Sequence, residues 1–290
     1  MSAYADLKWQ GKGGLELYAR DYAPVGGEAR SPVICIHGLT RNSADFEDVA
    51  PWIAERGRRV IAVDVRGRGR SARDPDPKRY APPVYASDVL ALMDQARIPR
   101  AVFIGTSMGG IVTMVVALKR LKAIAGAVLN DVGPMINIEG LNRIRGYVGK
   151  GKPVETWSDA AEFIKGINGV AFPDNTDADW LKFARRTFRE DANGRIVLDY
   201  DPQIAASVAN AKVKTTSLMA RLLYRRLARN RPTLLIRGAN SDIVGPEEAR
   251  YMREAAPGLR YAEVPRVGHA PMLTEPAARE ALASFLADVP

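Results

Sequence analysis

Ala101-Val-Phe-Ile-Gly-Thr-Ser-Met-Gly-Gly110 decides the fold: an apolar, β-branched run ends in Gly-x-Ser-x-Gly and passes directly into the helix-like Ile111-Val-Thr-Met-Val-Val-Ala-Leu-Lys-Arg120. A strand that turns sharply into a helix around a serine is a nucleophile elbow. The serine sits in a strained backbone conformation, and glycines flank it because a Cβ there would strike neighbouring chain. Ser107 then projects its hydroxyl into a cleft. The amides that open the following helix aim their N–H groups and the positive end of the helix dipole at the same spot, which suits a developing oxyanion. The five-letter pattern also occurs as an ordinary turn, so the strand before it and the helix after it carry the reading.

Outward from Ser107, this architecture requires an acid and then a histidine, in that chain order. The chain has two histidines, His37 and His269, and only His269 follows the serine, in Val264-Pro-Arg-Val-Gly-His-Ala-Pro-Met-Leu273. Before it, Pro232-Thr-Leu-Leu-Ile-Arg-Gly-Ala-Asn-Ser-Asp-Ile-Val-Gly245 reads as a short buried strand opening into a loop that carries Asp242. That loop is the expected seat of the acid.

Four motifs together resemble the α/β-hydrolase fold family over nearly the whole chain. Val33-Ile-Cys-Ile-His-Gly-Leu-Thr40 is similar to the family's strand ending in a His-Gly oxyanion loop. Val63-Asp-Val-Arg-Gly-Arg-Gly-Arg-Ser71 resembles its Asp-x-Arg-Gly-x-Gly-x-Ser turn, and the elbow at Ser107 and Gly268-His269 complete the set. The resemblance implies an α/β fold, a mostly parallel β-sheet flanked by helices, with a helical cap inserted. It implies Ser107 as nucleophile, His269 as general base and acid, Asp242 as the residue orienting it, and the backbone amides of Leu39 and Met108 as oxyanion donors. In some relatives the acid follows the preceding strand, and Val128-Leu-Asn-Asp-Val-Gly-Pro134 places Asp131 there as the alternative. Asp131 also reads as a loop residue capping the entrance to the next segment.

The residue types dictate the chemistry. A serine hydroxyl is a poor nucleophile near neutral pH and needs an imidazole to take its proton as it attacks a carbonyl carbon. Histidine, with a reference pKa of about 6.5, can accept that proton and return it to the leaving group. A buried carboxylate fixes the imidazole tautomer, and each oxyanion donor is worth on the order of 10²–10³ in turnover. This chemistry requires no cofactor and no metal.

At 290 residues and 47% apolar content the chain can bury one large α/β core with an insertion. The core is expected over 1–134 and 231–290, and the helical cap over 135–230. Strands are predicted at 33–37, 59–65, 101–106, 124–131, 233–238 and 260–264, after an N-terminal hairpin around Gly11-Lys-Gly-Gly14. Helices are predicted at 45–56, 82–97, 109–122, 246–256 and 275–287, and within the insertion at Ser158–Lys165, Asp177–Arg186 and Ser217–Arg229. A cap over the strand ends would shape the substrate pocket, with Met135, Ile136, Trp157, Phe163, Phe172 and Trp180 as candidate lining. Each of these also reads as packing within the cap. Gly11–Gly14 lacks the spacing of a phosphate loop, His37 reads as shaping the oxyanion loop, and Asp64 and Arg66 read as a structural pair holding the turn through Gly67 and Gly69.

The single cysteine, Cys35, lies in a buried-looking strand and can form no intramolecular disulfide. No run approaches the roughly 18 apolar residues of a membrane span, and the expectation is a cytoplasmic protein without membrane partners. The formal charge of +9 raises nucleic acid as a partner, with Arg221-Leu-Leu-Tyr-Arg-Arg-Leu-Ala-Arg-Asn-Arg231 as the sharpest basic run. With no nucleic-acid motif, that run reads as a solvated helix face, and the charge as a field drawing anionic substrates toward the cleft. The expected substrate is a small carboxylic ester or lactone. Carbon–carbon bond hydrolysis of a vinylogous diketone uses the same triad, but relatives that perform it often carry Trp after the histidine, where this chain has Ala270. Haloalkane dehalogenases and epoxide hydrolases of this fold need an aspartate nucleophile, which Ser107 replaces. A weakly catalytic ligand receptor on the same fold is the remaining alternative.

Overall fold

The structure, a computed structural model, describes residues 4–26, 30–135, 137–151, 154–209 and 217–290. Strands β1 (Ala5–Gln10) and β2 (Glu16–Tyr22) form the predicted antiparallel hairpin, and Gly13 and Gly14 turn it at φ of 80° and 73°. There follow β3 (Val33–Ile36), β4 (Val60–Asp64), β5 (Ala101–Thr106) and β6 (Ile124–Asn130). A short pair, β7 (Phe188–Glu190) and β8 (Ile196–Leu198), precedes β9 (Thr233–Gly238) and β10 (Arg260–Val264). Eight of these build one sheet in the order β1-β2-β4-β3-β5-β6-β9-β10, and every pairing from β4 to β10 is parallel. β3, β4, β5 and β6 are apolar without alternation because helices cover both faces of the sheet.

The helices are α1 (Val49–Ala54), α2 (Pro82–Gln95), α3 (Met108–Arg120), α4 (Ile138–Tyr147), α5 (Trp157–Asn168), α6 (Asp177–Thr187), α7 (Ile204–Ala209), α8 (Leu218–Ala228), α9 (Pro246–Ala255) and α10 (Pro276–Asp288). Val49 and Ile53 of α1 pack with Leu282 and Phe285 of α10 on one face, while α2, α3 and α9 bury Leu92, Val112 and Met252 on the other. Cys35 lies inside the first of these layers, where burial pushes its thiol up. The predicted helix at 45–56 is split. Asn42 caps a 3-10 turn at Ser43–Phe46, and Pro51, which has no N–H to donate, sits in the first turn of the shortened α1.

Between β6 and β9, α5 and α6 each begin with a capping box, Thr156 with Asp159 and Thr176 with Asp179. Their inner faces meet through Phe163, Phe172, Trp180, Phe183 and Phe188, with edge-on or stacked rings. The β7–β8 hairpin was not expected from the sequence, because three-residue strands show no usable alternation. α8 packs on α3 rather than within the rest of the insertion, burying Tyr224 and Leu227 and donating from the Tyr224 hydroxyl to the Met252 carbonyl at 2.7 Å. Among the described residues no helix is long and apolar enough to cross a membrane.

The chain after β8 returns to the glycine-rich turn that follows β4. Gly69 N donates to Asp199 O at 3.0 Å, Asp201 N to Gly67 O at 2.7 Å, and the Tyr80 hydroxyl to Asp201 Oδ2 at 2.5 Å. Asn42 Nδ2 reaches Arg186 O at 2.9 Å and Asp199 Oδ2 at 3.0 Å. Asp64 and Arg66 do not form the expected pair. Buried Asp64 accepts from the Ser43 and Arg70 amides at 2.6 and 2.8 Å, whereas buried Arg66 forks onto Asp88 at 2.6 and 2.7 Å and also reaches Asp74. Each carboxylate serves its own side of the turn.

Candidate active site

β5 ends where α3 begins, and Ser107 occupies the junction at φ 52° and ψ −114°, a conformation costly for a residue with a side chain. The flanking glycines are required by contact. A Cβ on Gly105 would stand 2.5 Å from the Gly109 carbonyl and the Gly110 nitrogen, and one on Gly109 would overlap the Ile36 carbonyl of β3. The Ser107 amide is held by Asn130 O at 2.9 Å.

The loop after β10 brings His269 to the serine, with Nε2 2.9 Å from Ser107 Oγ. Its Nδ1 lies 2.7 Å from Asp131 Oδ2. A carboxylate can only accept, so Nδ1 carries the proton and Nε2 is left bare to accept from the serine hydroxyl. Asp131 is fully buried at φ 55°, and its carboxylate also accepts from Gly238 N at 3.1 Å and from the Ser241 hydroxyl at 2.6 Å. The acid beside the histidine is therefore Asp131, the alternative position, and not Asp242. Asp242 turns away and forms a two-point ion pair with Arg143 at 2.6 and 2.9 Å. Partial burial works to raise its carboxyl, but the Arg143 hydrogen bonds and charge outweigh this and hold it below the ordinary range. The expected loop still contributes, because Ser241, one residue earlier, faces Asp131.

Gly38 lies against the serine: a Cβ added there would be 3.9 Å from Ser107 Cβ. Leu39 follows on the wall of the cleft. Met108 opens α3, where a first-turn amide has no acceptor within its own helix. His37 is fully buried, with Nδ1 2.7 Å from Gly38 O and Nε2 accepting from Val65 N at 3.1 Å. Burial lowers its pKa to about 3, so it is a neutral strut at the root of this loop.

The cleft above Ser107 and His269 encloses about 110 Å³. Its apolar wall includes Ile144, Phe163, Phe172, Phe183, Leu198 and Met272, and Arg41 is a cation on its lining. Two of the aromatic candidates, Phe163 and Phe172, line it. Trp157 instead donates to Glu190 at 3.1 Å under the Arg185 guanidinium, and Trp180 is buried against Phe172 and Phe183. Met135 accepts from Arg221 at its sulfur, 3.5 Å away, and Ile136 falls outside the described residues.

A sequence model of the alpha/beta hydrolase family matches residues 33–282. The chain belongs to the alpha/beta hydrolase family. This alpha/beta hydrolase is 31% identical over 257 residues to the 3-hydroxybutyrate-oligomer hydrolase of Cupriavidus necator, covering 87% of each chain. It is 27% identical to the sn-1-specific diacylglycerol lipase ABHD11 of Mus musculus, over 86% of this chain and 78% of that one. A crystal structure of an alpha/beta hydrolase from Novosphingobium aromaticivorans superposes with a TM-score of 0.91 at 43% identity, covering 99% of both chains.

Three side chains that the sequence left unremarked brace the site of this alpha/beta hydrolase. Ser241 holds Asp131, and its own oxygen accepts from the Ile243 and Val244 amides at 3.2 and 3.1 Å. Buried Arg68 donates to Leu39 O at 3.0 Å and so fixes the peptide on the cleft wall. Asn130 is the last residue of β6 and immediately precedes Asp131. The only signal for Arg68 was its place in the Gly-Arg-Gly turn, and none marked the other two.

Proposed function

We propose that this chain is a serine hydrolase of small carboxylic esters and lactones. Ser107 attacks the acyl carbon, His269 takes its proton and returns it to the leaving alcohol, and Asp131 holds the imidazole in the Nδ1-protonated tautomer. The Leu39 and Met108 amides receive the oxyanion. Water then enters by the same base and releases the acid. The observation that carries this reading is the unbroken hydrogen-bonded chain from Asp131 through His269 to Ser107 at the neck of an apolar cleft.

Residues 135–230 are read as the cap, with α5 and α6 as the apolar roof over the acyl group. The small volume of the cleft favours short acyl chains. The relative acting on 3-hydroxybutyrate oligomers suggests oligomers of short hydroxy acids, whose free end is a carboxylate. A net charge of +9 would speed the arrival of such anions. Ala270 after the histidine favours esters over carbon–carbon substrates.

The test compares the wild type with Ser107→Ala on short and medium-chain p-nitrophenyl esters, simple lactones and 3-hydroxybutyrate dimers. Turnover of short esters, lost in the variant, is expected. A wild type inactive on the whole panel, or equal turnover in both proteins, overturns the reading.

A further inference from the structure

The side-chain amide of Asn130 touches two other loops of the site. Its Nδ2 donates to Thr106 Oγ1 at 3.0 Å and to Pro271 O at 2.8 Å, and its backbone carbonyl accepts from Ser107 N at 2.9 Å. Thr106 immediately precedes the serine, Asn130 immediately precedes the aspartate, and Pro271 lies two residues past the histidine. The side chain is fully buried, and its Oδ1 has no hydrogen-bond partner among the described residues. The orientation is fixed by chemistry: a flipped amide would set its oxygen against the Pro271 carbonyl, which can only accept. Leaving a buried amide oxygen unpaired is costly, because it gives up its hydrogen bond to water and gains none in the protein. An apolar residue would avoid that cost, but it would offer no donors to the two loops.

We propose that Asn130 is a positioning residue that clamps the serine, aspartate and histidine loops in mutual register, a role that rests on the hydrolase reading above. Both protons of one amide are spent on the two loops that β6 does not itself carry. The distances between Ser107, His269 and Asp131 thus depend on a group that touches none of the reacting atoms. A displacement of about 1 Å in such a constellation can cost 10²-fold in rate.

The test is Asn130→Ala, with Thr106→Val, Thr106→Ser and the double variant Asn130→Ala/Thr106→Val, read by kcat and KM separately on a short ester. The Nδ1 proton of His269 is followed by NMR, assigned by its loss in His269→Gln. Asn130→Ala is expected to lower kcat about 10- to 100-fold with KM nearly constant, and to broaden or shift the imidazole proton in a protein that still folds. Thr106→Val should lose less, Thr106→Ser should retain the rate, and the double variant should fall no further than Asn130→Ala. An unchanged kcat and an unchanged imidazole proton in Asn130→Ala overturn the proposal. Should that variant not fold, equal rates in Thr106→Val and Thr106→Ser overturn it instead. The imidazole signal needs no substrate, so failure of the clamp is distinguishable from an enzyme that turns over no ester.

Discussion

Replacing Asp131 by Asn changes one atom and should nearly stop turnover. Asp131 Oδ1 accepts from the Gly238 amide, while Oδ2 accepts from both His269 Nδ1 and the Ser241 hydroxyl. An asparagine must keep its carbonyl toward Gly238 N, because the opposite orientation sets two N–H groups against each other. Its NH2 then faces His269 and Ser241. The Ser241 oxygen already accepts from the Ile243 and Val244 amides, so the NH2 finds no free acceptor there, and the imidazole can accept only by moving its proton from Nδ1 to Nε2, the atom that must deprotonate Ser107. The wrong tautomer costs about 10⁴ in kcat, equivalent to ~5.5 kcal/mol of transition-state stabilisation. Asp242→Asn removes only a pair with Arg143 whose side chains are 36% and 30% exposed, a contact of roughly 0–1 kcal/mol. The assay is kcat of both variants on one short ester near pH 8, with circular dichroism confirming folding. Loss of activity in Asp242→Asn with near-normal turnover in Asp131→Asn would refute the reasoning.

Gly109→Ala, whose methyl would overlap the Ile36 carbonyl at the elbow, should cost about 3 kcal/mol and lower the melting temperature by at least about 5 °C. A melt indistinguishable from wild type would contradict it. Burial and the neighbouring Asp64 raise the Asp199 carboxyl to about 7. The neutral acid is thus favoured by the folded state: its contribution to stability is complete below about pH 4 and lost as pH rises through 7. Asp199→Asn should therefore raise the melting temperature relative to wild type at pH 8 and much less at pH 5, and an equal difference at both pH values would count against this. Phe163→Ala should enlarge the cleft and shift preference toward longer acyl chains, measured as the octanoate-to-acetate ratio of kcat/KM. Trp157→Ala, facing Glu190 and Arg185, should leave that ratio unchanged.

The fold was legible because backbone sterics speak through single letters. Gly105 and Gly109 have no space for a side chain, and unbroken apolar strands such as β5 and β6 announce a sheet covered on both faces. His269 could be reached by elimination. Asp131 and Asp242 could not be separated by pattern, since both follow strands that end at the same edge. The difference lies in direction: the turn at φ 55° aims Asp131 inward, while on the neighbouring loop the inward place goes to Ser241 and its successor meets Arg143. The aromatic wall was half legible for a related reason. An amphipathic helix shows which residues are inward, but Trp180 of α6 turns inward onto Phe183 and Phe163 of α5 turns inward onto the cleft, and periodicity is the same for both.

The backbone ties from Asp199 and Asp201 to the Gly67–Gly69 turn, with Asn42 holding Arg186, give the roof of the cleft a mechanical character. It is anchored where it leaves β6, again at its midpoint, and again through α8 on α3. Such a span is a bridge rather than a door. Swinging it clear of Ser107 as one rigid piece would break the ties of Asp199 and Asp201 to the glycine turn and of Arg186 to Asn42. If the chain is the ester hydrolase proposed above, a flexible ester threading end first is expected to be turned over faster than a bulky one of equal mass.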